Sequence, residues 1–570
     1  MSQAIRLIEL ARLSAEDRAR LLERAESDLS PYIEKVRPVI EAVRREGDEA
    51  LARFAREFDR APLTADRIAA TRADIERAFA TVEKPVIAAI EFAIDGIRRF
   101  HEAQKPEEMW LKEIRPGVFA GERTTPIASV ACYVPRGKGA FPSVAMMTAI
   151  PAVVAHVPEI SILTPSGPDG EVDGATLIAA KLAGVEGVYK CGGAAAAAAA
   201  AYGTKSVPKA AKIVGPGSPY HVAAKRLLAD IIDPGIPAGP SESIVLADET
   251  ADGWLAALDL IVESEHGPDS SAFLVTPSRA VAEAAVAAIP RHWARMGETR
   301  VGYSAAVLGG PRGGVLLTPD IEAAYAFVND YAPEHLAILG REPFAHMSHI
   351  RNAGEILLGP HTPFTLGNFV LGPNAVLPTS GAARTVSPLS VLDYMKRSSV
   401  AYVTEAGYPA LAPQAERLAR YEGFDGHANA VSDWRRTGAR RPLTPTLSPG
   451  GGEGEEYQVS LRRGHRHPTF RVMQGLYHDD GSAGRGPNRR ITFRSSRCPQ
   501  CASALRSSRS TMRGEIPKRA AISRCGISWR RARMKMARHR GCSSLSARAS
   551  AAISELASAT RSGSSSSSSP

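Results

Sequence analysis

Residues 127–201 run IASVACYVP (127–135), FPSVAMMTAIPAVVAHV (141–157), EISILTP (159–165), ATLIAAKLAG (175–184) and VEGVYKC (185–191), then Gly192-Gly193 and eight alanines, Ala194 to Ala201. Short apolar runs of strand length alternate with longer apolar stretches of helix length, separated by Gly, Pro and Asp. That alternation predicts parallel strands joined by crossover helices, an α/β domain. Glycine between strand and helix allows close backbone approach to a pyrophosphate, and the following helix start offers free N–H groups. The same pair also suits an ordinary turn. A second Gly/Pro loop, KIVGPGSPY (212–220), follows another strand-like run and strengthens the nucleotide reading.

Outward from this core, residues 31–100 carry apolar positions at three- and four-residue spacing, as in YIEKVRPVIEAVRREGDEALARFAREFD, and predict amphipathic helices. A further α/β section spans 242–385, with strands at SIVLADE, SAFLVTP, AAVLG and EILLG and helices between them. The expected architecture is two Rossmann-like α/β domains with parallel sheets. The large one would comprise 31–130 with 242–385, and the second, on the nucleotide side, 131–241. Residues 1–30 and 386–436 are expected to be helical terminal segments making dimer contacts. Residues 437–570 lack periodicity and end in SGSSSSSSP, so they are expected to be disordered or a translated non-native reading frame.

Of 70 Lys plus Arg and 60 Asp plus Glu in the 570 residues, 25 and 7 fall after Arg436. The body keeps 45 and 53, a net of −8, so the overall +10 belongs to the tail. An Arg-rich tail suggests salt-sensitive nucleic-acid binding as a competing function. Against it stand few aromatics and a lone Cys498-Pro-Gln-Cys501 pair, where a zinc ribbon needs a second close pair. Only Cys132 and Cys191 of the six cysteines lie in the body, which argues against a disulfide scaffold and for a reducing cytoplasm. Charges interrupt every apolar stretch of the N-terminus, and Pro151, His156, Pro158 and Glu159 interrupt the most apolar window, so neither a signal peptide nor a membrane span is expected.

Four places carry candidate chemistry. Glu263 and His266 stand three apart at a helix end, on one face, where carboxylate and imidazole can share a metal ion or decorate a solvated terminus. Glu334-His335 in YAPEHL joins a carboxylate to the usual general base for a hydroxyl proton, or is an exposed polar pair. The loop LGNFVLGPNAVLPTSGAAR (366–384) offers Asn368 and Asn374, and YEGFDGHANA holds Glu422 and His427.

In chain order, GDEALARFAREFD, YVPRGKGAFPSVAMM, CGGAAAAAAAAYGT, KIVGPGS, PAGPSE, ESEHGPDS, YAPEHL, LGNFVLGPN and EGFDGH resemble the histidinol dehydrogenase family over about residues 5–436. The resemblance implies a zinc-binding, NAD-dependent enzyme that oxidises histidinol through the aldehyde to histidine. It places metal ligands on Glu263, His266, Asn368 and His427, and an acid-base pair on Glu334 and His335. Those four ligands and His335 would also meet substrate, together with Ser241 and Glu422. NAD contacts would fall on Tyr133, Ala195 and Ser218. It further implies a homodimer in which Glu422 and His427 complete the partner's active site.

The sequence departs from the family pattern where Glu263 and Asn368 replace the usual Gln and Asp. One carboxylate and one amide remain, so net ligand charge is unchanged. Asn374-Ala375 replaces Asn-His, Ala195 replaces Gln, and Ser218 replaces Asn, while the segment before PAGPSE is a few residues short. An intact acid-base pair beside altered contacts also fits a paralogue acting on another polar alcohol, such as a sulfonated propanediol.

Overall fold

The computed structural model describes residues 5–24, 29–137, 139–433 and 435. The expectations for 437–570 lie outside them. In chain order the strands are β1 (Leu7–Glu9), β2 (Met109–Arg115), β3 (Val118–Pro126), β4 (Ser129–Tyr133), β5 (Glu159–Thr164), β6 (Gly187–Lys190), β7 (Lys212–Val214), β8 (Glu242–Ala247), β9 (Ser271–Thr276), β10 (Gly313–Leu317), β11 (His335–Leu339), β12 (Glu355–Leu358) and β13 (Met395–Val403).

Four parallel strands form one sheet in the order β6-β5-β4-β7. Side chains alternate across a strand, so Val130 and Cys132 of β4 face one core while Ala131 and Tyr133 face another. Both faces are covered, which is why these strands read as continuous apolar runs. The first core is filled from helices Lys84–Gln104, Pro142–Val154 and Gly174–Ala183, the second from Ser30–Glu46, Asp48–Phe58, Gly193–Tyr202 and Pro219–Leu227. Ala194 to Ala201 are all buried. Alanine gives this central helix a strong intrinsic preference, and its small side chain lets neighbours pack close.

A six-stranded parallel sheet follows the same logic in the order β1-β10-β9-β8-β11-β12. Helices Gly253–Ser264, Arg279–Trp293 and Glu298–Leu308 cover one face, and Ile321–Tyr331 covers the other. β2, β3 and β13 make a separate antiparallel sheet.

The α/β architecture with two parallel sheets is as expected, and four details differ. The N-terminal segment is not only helical, because β1 adds an edge strand beside β10. Residues 386–436 contribute the nine-residue strand β13. Helices between 30 and 104 pack on the four-stranded sheet, whereas the sequence pattern groups 31–130 with 242–385. The strand expected at AAVLG is the end of helix Glu298–Leu308, and β10 forms just after it, at Gly313–Leu317.

Candidate active site

A cleft of 320 Å³ opens where the two parallel sheets meet. One wall comes from the carboxyl ends of β4 and β7, with Pro135, Arg136 and the loop through Ser218. The facing wall comes from the amino ends of β8 and β11, with Ser241, Glu334 and His335. In an open α/β sheet a ligand crevice forms at the carboxyl ends where strand order reverses, and β4 and β7 flank that reversal.

Glu334 and His335 are only 6% and 3% exposed, so the alternative of an exposed polar pair does not hold. Helix Ile321–Tyr331 stops at Ala332 in the left-handed region (φ 53°), and Pro333 follows. The chain then enters β11 directly, which fixes both side chains at a strand start. His335 Nδ1 lies 2.6 Å from Glu355 Oε1, its register partner on β12. A carboxylate accepts only, so Nδ1 carries the proton and Nε2 is directed elsewhere. Nε2 is 3.8 Å from Glu334 Oε1, and Glu334 Oε2 accepts the Glu242 backbone N–H at 2.9 Å. Behind them, Glu242 Oε1 accepts the Ser380 N–H at 2.9 Å and lies 3.0 Å from Arg24 Nε. The Arg24 guanidinium sits 3.3 Å over the Tyr331 ring.

Burial pushes the Glu334 carboxyl up to about 8, with Glu263 and Glu242 adding to the rise against the pull of His335. Burial opposes charge on His335, but Glu263, Glu334 and Glu355 outweigh it and raise the imidazole to about 10. The acidic side chains around His335 thus favour its protonated form when nothing else neutralises them.

Glu263, His266 and Asn368 converge on the same cleft. Asn368 Nδ2 donates to Glu263 Oε1 at 2.7 Å. Glu263 is completely buried, and its Oε2 has no hydrogen-bond partner although His266 Nδ1 is 3.3 Å away. His266 Nδ1 donates instead to the Val262 carbonyl at 3.1 Å, which leaves Nε2 with the lone pair. An orphaned buried carboxylate oxygen beside such an imidazole is chemically suited to a divalent cation. Among the described residues no cluster of three His, Cys, Asp or Glu forms a metal set by itself.

Other sequence candidates are placed as follows. Ser241 and Ser218 line the cleft, Ser218 at the start of helix Pro219–Leu227. Tyr133 and Ala195 are buried beside the glycine turn rather than in the cleft wall. The Tyr133 hydroxyl accepts the Gly193 N–H at 3.0 Å, and its ring stacks on His221 at 3.8 Å. His221 Nδ1 in turn donates to the Gly193 carbonyl at 3.0 Å. Asn374 is committed to the Met147 carbonyl and the Val376 N–H, which shapes its loop. Glu422 and His427 are exposed and do not line the cleft.

Glu355, Glu242, Arg24 and His221 escaped sequence reading. Each acts across the fold, through strand register or packing; only Glu242, the last residue of PAGPSE, lies in a quoted motif, and there the adjacent Ser241 was the residue singled out.

Two doubly wound parallel sheets meet over a buried imidazole–carboxylate pair, and with the family match that follows the class is an oxidoreductase acting on an alcohol or aldehyde. The chain belongs to the histidinol dehydrogenase family, whose model matches residues 22–435. It is 65% identical over 427 residues to a histidinol dehydrogenase homolog 2 of Mesorhizobium japonicum, covering 75% of this chain and 97% of that protein. It is 46% identical to a histidinol dehydrogenase of Synechocystis, over 75% of this chain and 98% of that one. A crystal structure of histidinol dehydrogenase from Elizabethkingia anophelis superposes with a TM-score of 0.72 at 30% identity, covering 76% of this chain and 99% of that chain.

Proposed function

We propose that this chain oxidises a polar primary alcohol through the aldehyde to the acid, with NAD as oxidant and a zinc ion in the cleft. The observation that carries the reading is His335, buried at the cleft with its tautomer fixed by Glu355. When bound, NAD supplies the hydride acceptor and zinc a fixed positive charge that orients the substrate. Glu263, His266 and Asn368 would hold the ion, and His335 Nε2 would take the hydroxyl proton. Cation charge beside Glu263 offsets one of the acidic side chains that raise His335, which brings the imidazole towards the neutral form a base requires. Glu334, with a carboxyl raised to about 8, is suited to holding or releasing a proton as water attacks the aldehyde.

Histidinol is the substrate the family suggests. A second reading, another polar alcohol such as sulfopropanediol, is supported by the relatives themselves. Four relatives named only as homologs are 58–65% identical to this chain, while two named histidinol dehydrogenase are 46% and 42% identical. We also propose a homodimer in which Glu422 and His427 enter the partner's cleft. Its support is an exposed apolar surface on β2 and β13, including Trp110, Ile114 and Tyr402, and Tyr421 beside Glu422 at 92% exposure. Among the described residues no helix is long and apolar enough to cross a membrane.

The test is to incubate the purified chain with NAD and histidinol or short polar diols, follow NADH, and measure bound metal by mass spectrometry. NADH formation that disappears with chelation and returns with zinc is expected. Metal-free protein with undiminished turnover would remove zinc from the reading.

A further inference from the structure

Arg24 reaches the acid-base pair from the N-terminal segment, far from both residues in sequence. β1 pairs with β10 at the sheet edge, Ile8, Leu10 and Leu21 enter the core that also holds Tyr331, and Arg18 lies 3.2 Å from Asp330. These contacts fix the backbone that carries Arg24, whose side chain is only 7% exposed. Arg24 does not line the cleft, so any part it has in the chemistry is played through its neighbours.

One guanidinium touches both segments that deliver the site. Nη2 donates to the Tyr331 carbonyl, and the group lies 3.3 Å over the Tyr331 ring. Tyr331 closes helix Ile321–Tyr331, and only left-handed Ala332 and Pro333 separate it from Glu334. Nε lies 3.0 Å from Glu242 Oε1, and Glu242 opens β8 immediately after Ser241 of the cleft wall. Nη1 donates to the Leu22 carbonyl at 2.8 Å, which ties the fork to its own segment. The two gripped segments meet at the Glu242 N–H, which Glu334 Oε2 accepts at 2.9 Å. Glu242 Oε2 has no hydrogen-bond partner, so Oε1 carries that side chain's anchorage, the Ser380 N–H at 2.9 Å and Arg24. Without the guanidinium, a carboxylate this buried takes up a proton or moves towards water, and either change loosens the start of β8.

We propose that Arg24 is a positioning residue for the acid-base pair. It clamps the start of β8 to the turn before β11, and so holds the Glu334 carboxyl on the Glu242 N–H, beside His335 Nε2. This deepens the functional reading and rests on it, since it takes Glu334 and His335 as the working pair. A lysine at 24 keeps the charge, but a point charge does not bond Glu242 and the Tyr331 carbonyl and cover the ring as one planar fork does.

Two variants of the full chain test the assignment, with thermal melts and metal content as controls. Arg24→Lys keeps the charge opposite Glu242. The double variant Arg24→Met/Glu242→Gln removes both charges, so neither is left buried alone. With the alcohol that wild type oxidises, kcat should fall about tenfold in Arg24→Lys and further in the double variant, as a misplaced reacting group requires. KM for NAD should stay within about twofold, because the NAD side belongs to the other sheet. A residue that only holds the fold together would lower the melting temperature and leave kcat of the folded protein as it was. Wild-type kcat in either folded variant therefore overturns the inference. Wild-type protein that reduces no NAD removes the functional reading instead, and crystal structures of the variants then decide this one. Glu334 Oε2 displaced from the Glu242 N–H supports it, and a bond kept at 2.9 Å overturns it.

Discussion

The four-stranded sheet and the middle four strands of the six-stranded one share one order, third-second-first-fourth, yet the two sheets turn opposite ends to the cleft. The four-stranded sheet presents its carboxyl ends, with glycine and proline loops that leave room for a ligand. The six-stranded sheet presents its amino ends, where Glu334-His335 and Ser241 enter β11 and β8. Its own carboxyl-end reversal, between β8 and β11, is closed by side chains. Asp248 follows β8, accepts Thr250 through Oδ1, and lies 3.1 Å from His346 Nε2 through Oδ2. His346 Nδ1 is 2.6 Å from the Tyr325 hydroxyl, and a Cβ on Gly340 would collide with Asp248 at 2.3 Å. One topology thus serves as a binding crevice in one place and as a support for catalytic side chains in the other. Which it becomes depends on what fills the reversal.

The histidines of the two sheets repeat the contrast. His335 and His221 are both fully buried. Carboxylates raise the first to about 10, while burial first, and Lys225 second, depress the second to about 3. The largest expected effect is at the chemical side. His335→Ala should lower turnover by about 10²–10⁴-fold with fold and metal content retained, as loss of a general base does. Unchanged turnover, with circular dichroism as the folding control, would remove the base from His335. On the other sheet, His221 stays neutral in the folded state while an unfolded imidazole charges below about pH 6.5. The unfolded chain then binds more protons, so stability is lost as pH falls. The loss from pH 8 to pH 5 is about 2 kcal/mol for this group. His221→Phe should flatten that part of the pH–stability curve by about the same amount in urea titrations; an unaltered slope would contradict a neutral His221.

A smaller effect is expected at Glu355. Glu355→Gln can still accept the Nδ1 proton but loses the charge that helps raise His335. A base must be neutral, so its rising pH–rate limb should move to lower pH, with turnover down about tenfold. A limb that stays in place would mean that Glu355 only packs.

The buried parts of the fold were legible because strands covered on both faces, such as β4 and β8, appear as unbroken apolar runs between Gly and Pro. β2 and β13 were not, since most of their residues are exposed and show no burial pattern. AAVLG misled because an apolar run of that length suits a helix end as well as a strand. At the site, Glu334-His335 and Glu263/His266 could be read because each pair is local. Glu355 lies 20 residues from His335 and becomes its partner only through parallel register, which a single sequence does not state.

The smallest effect should come from the closed reversal of the six-stranded sheet. His346→Ala removes bonds to the buried Asp248 and Tyr325, but His346 itself is only half-buried, so water can enter in its place and the expected loss is about 1 kcal/mol in unfolding free energy. Turnover should be unchanged, because the carboxyl end of β8 is the end away from the cleft at Ser241. Denaturant melts and steady-state rates on the same protein separate the two quantities. A turnover loss with stability intact would show that the closed end is coupled to the chemistry, and the division between a binding sheet and a catalytic sheet would then fail.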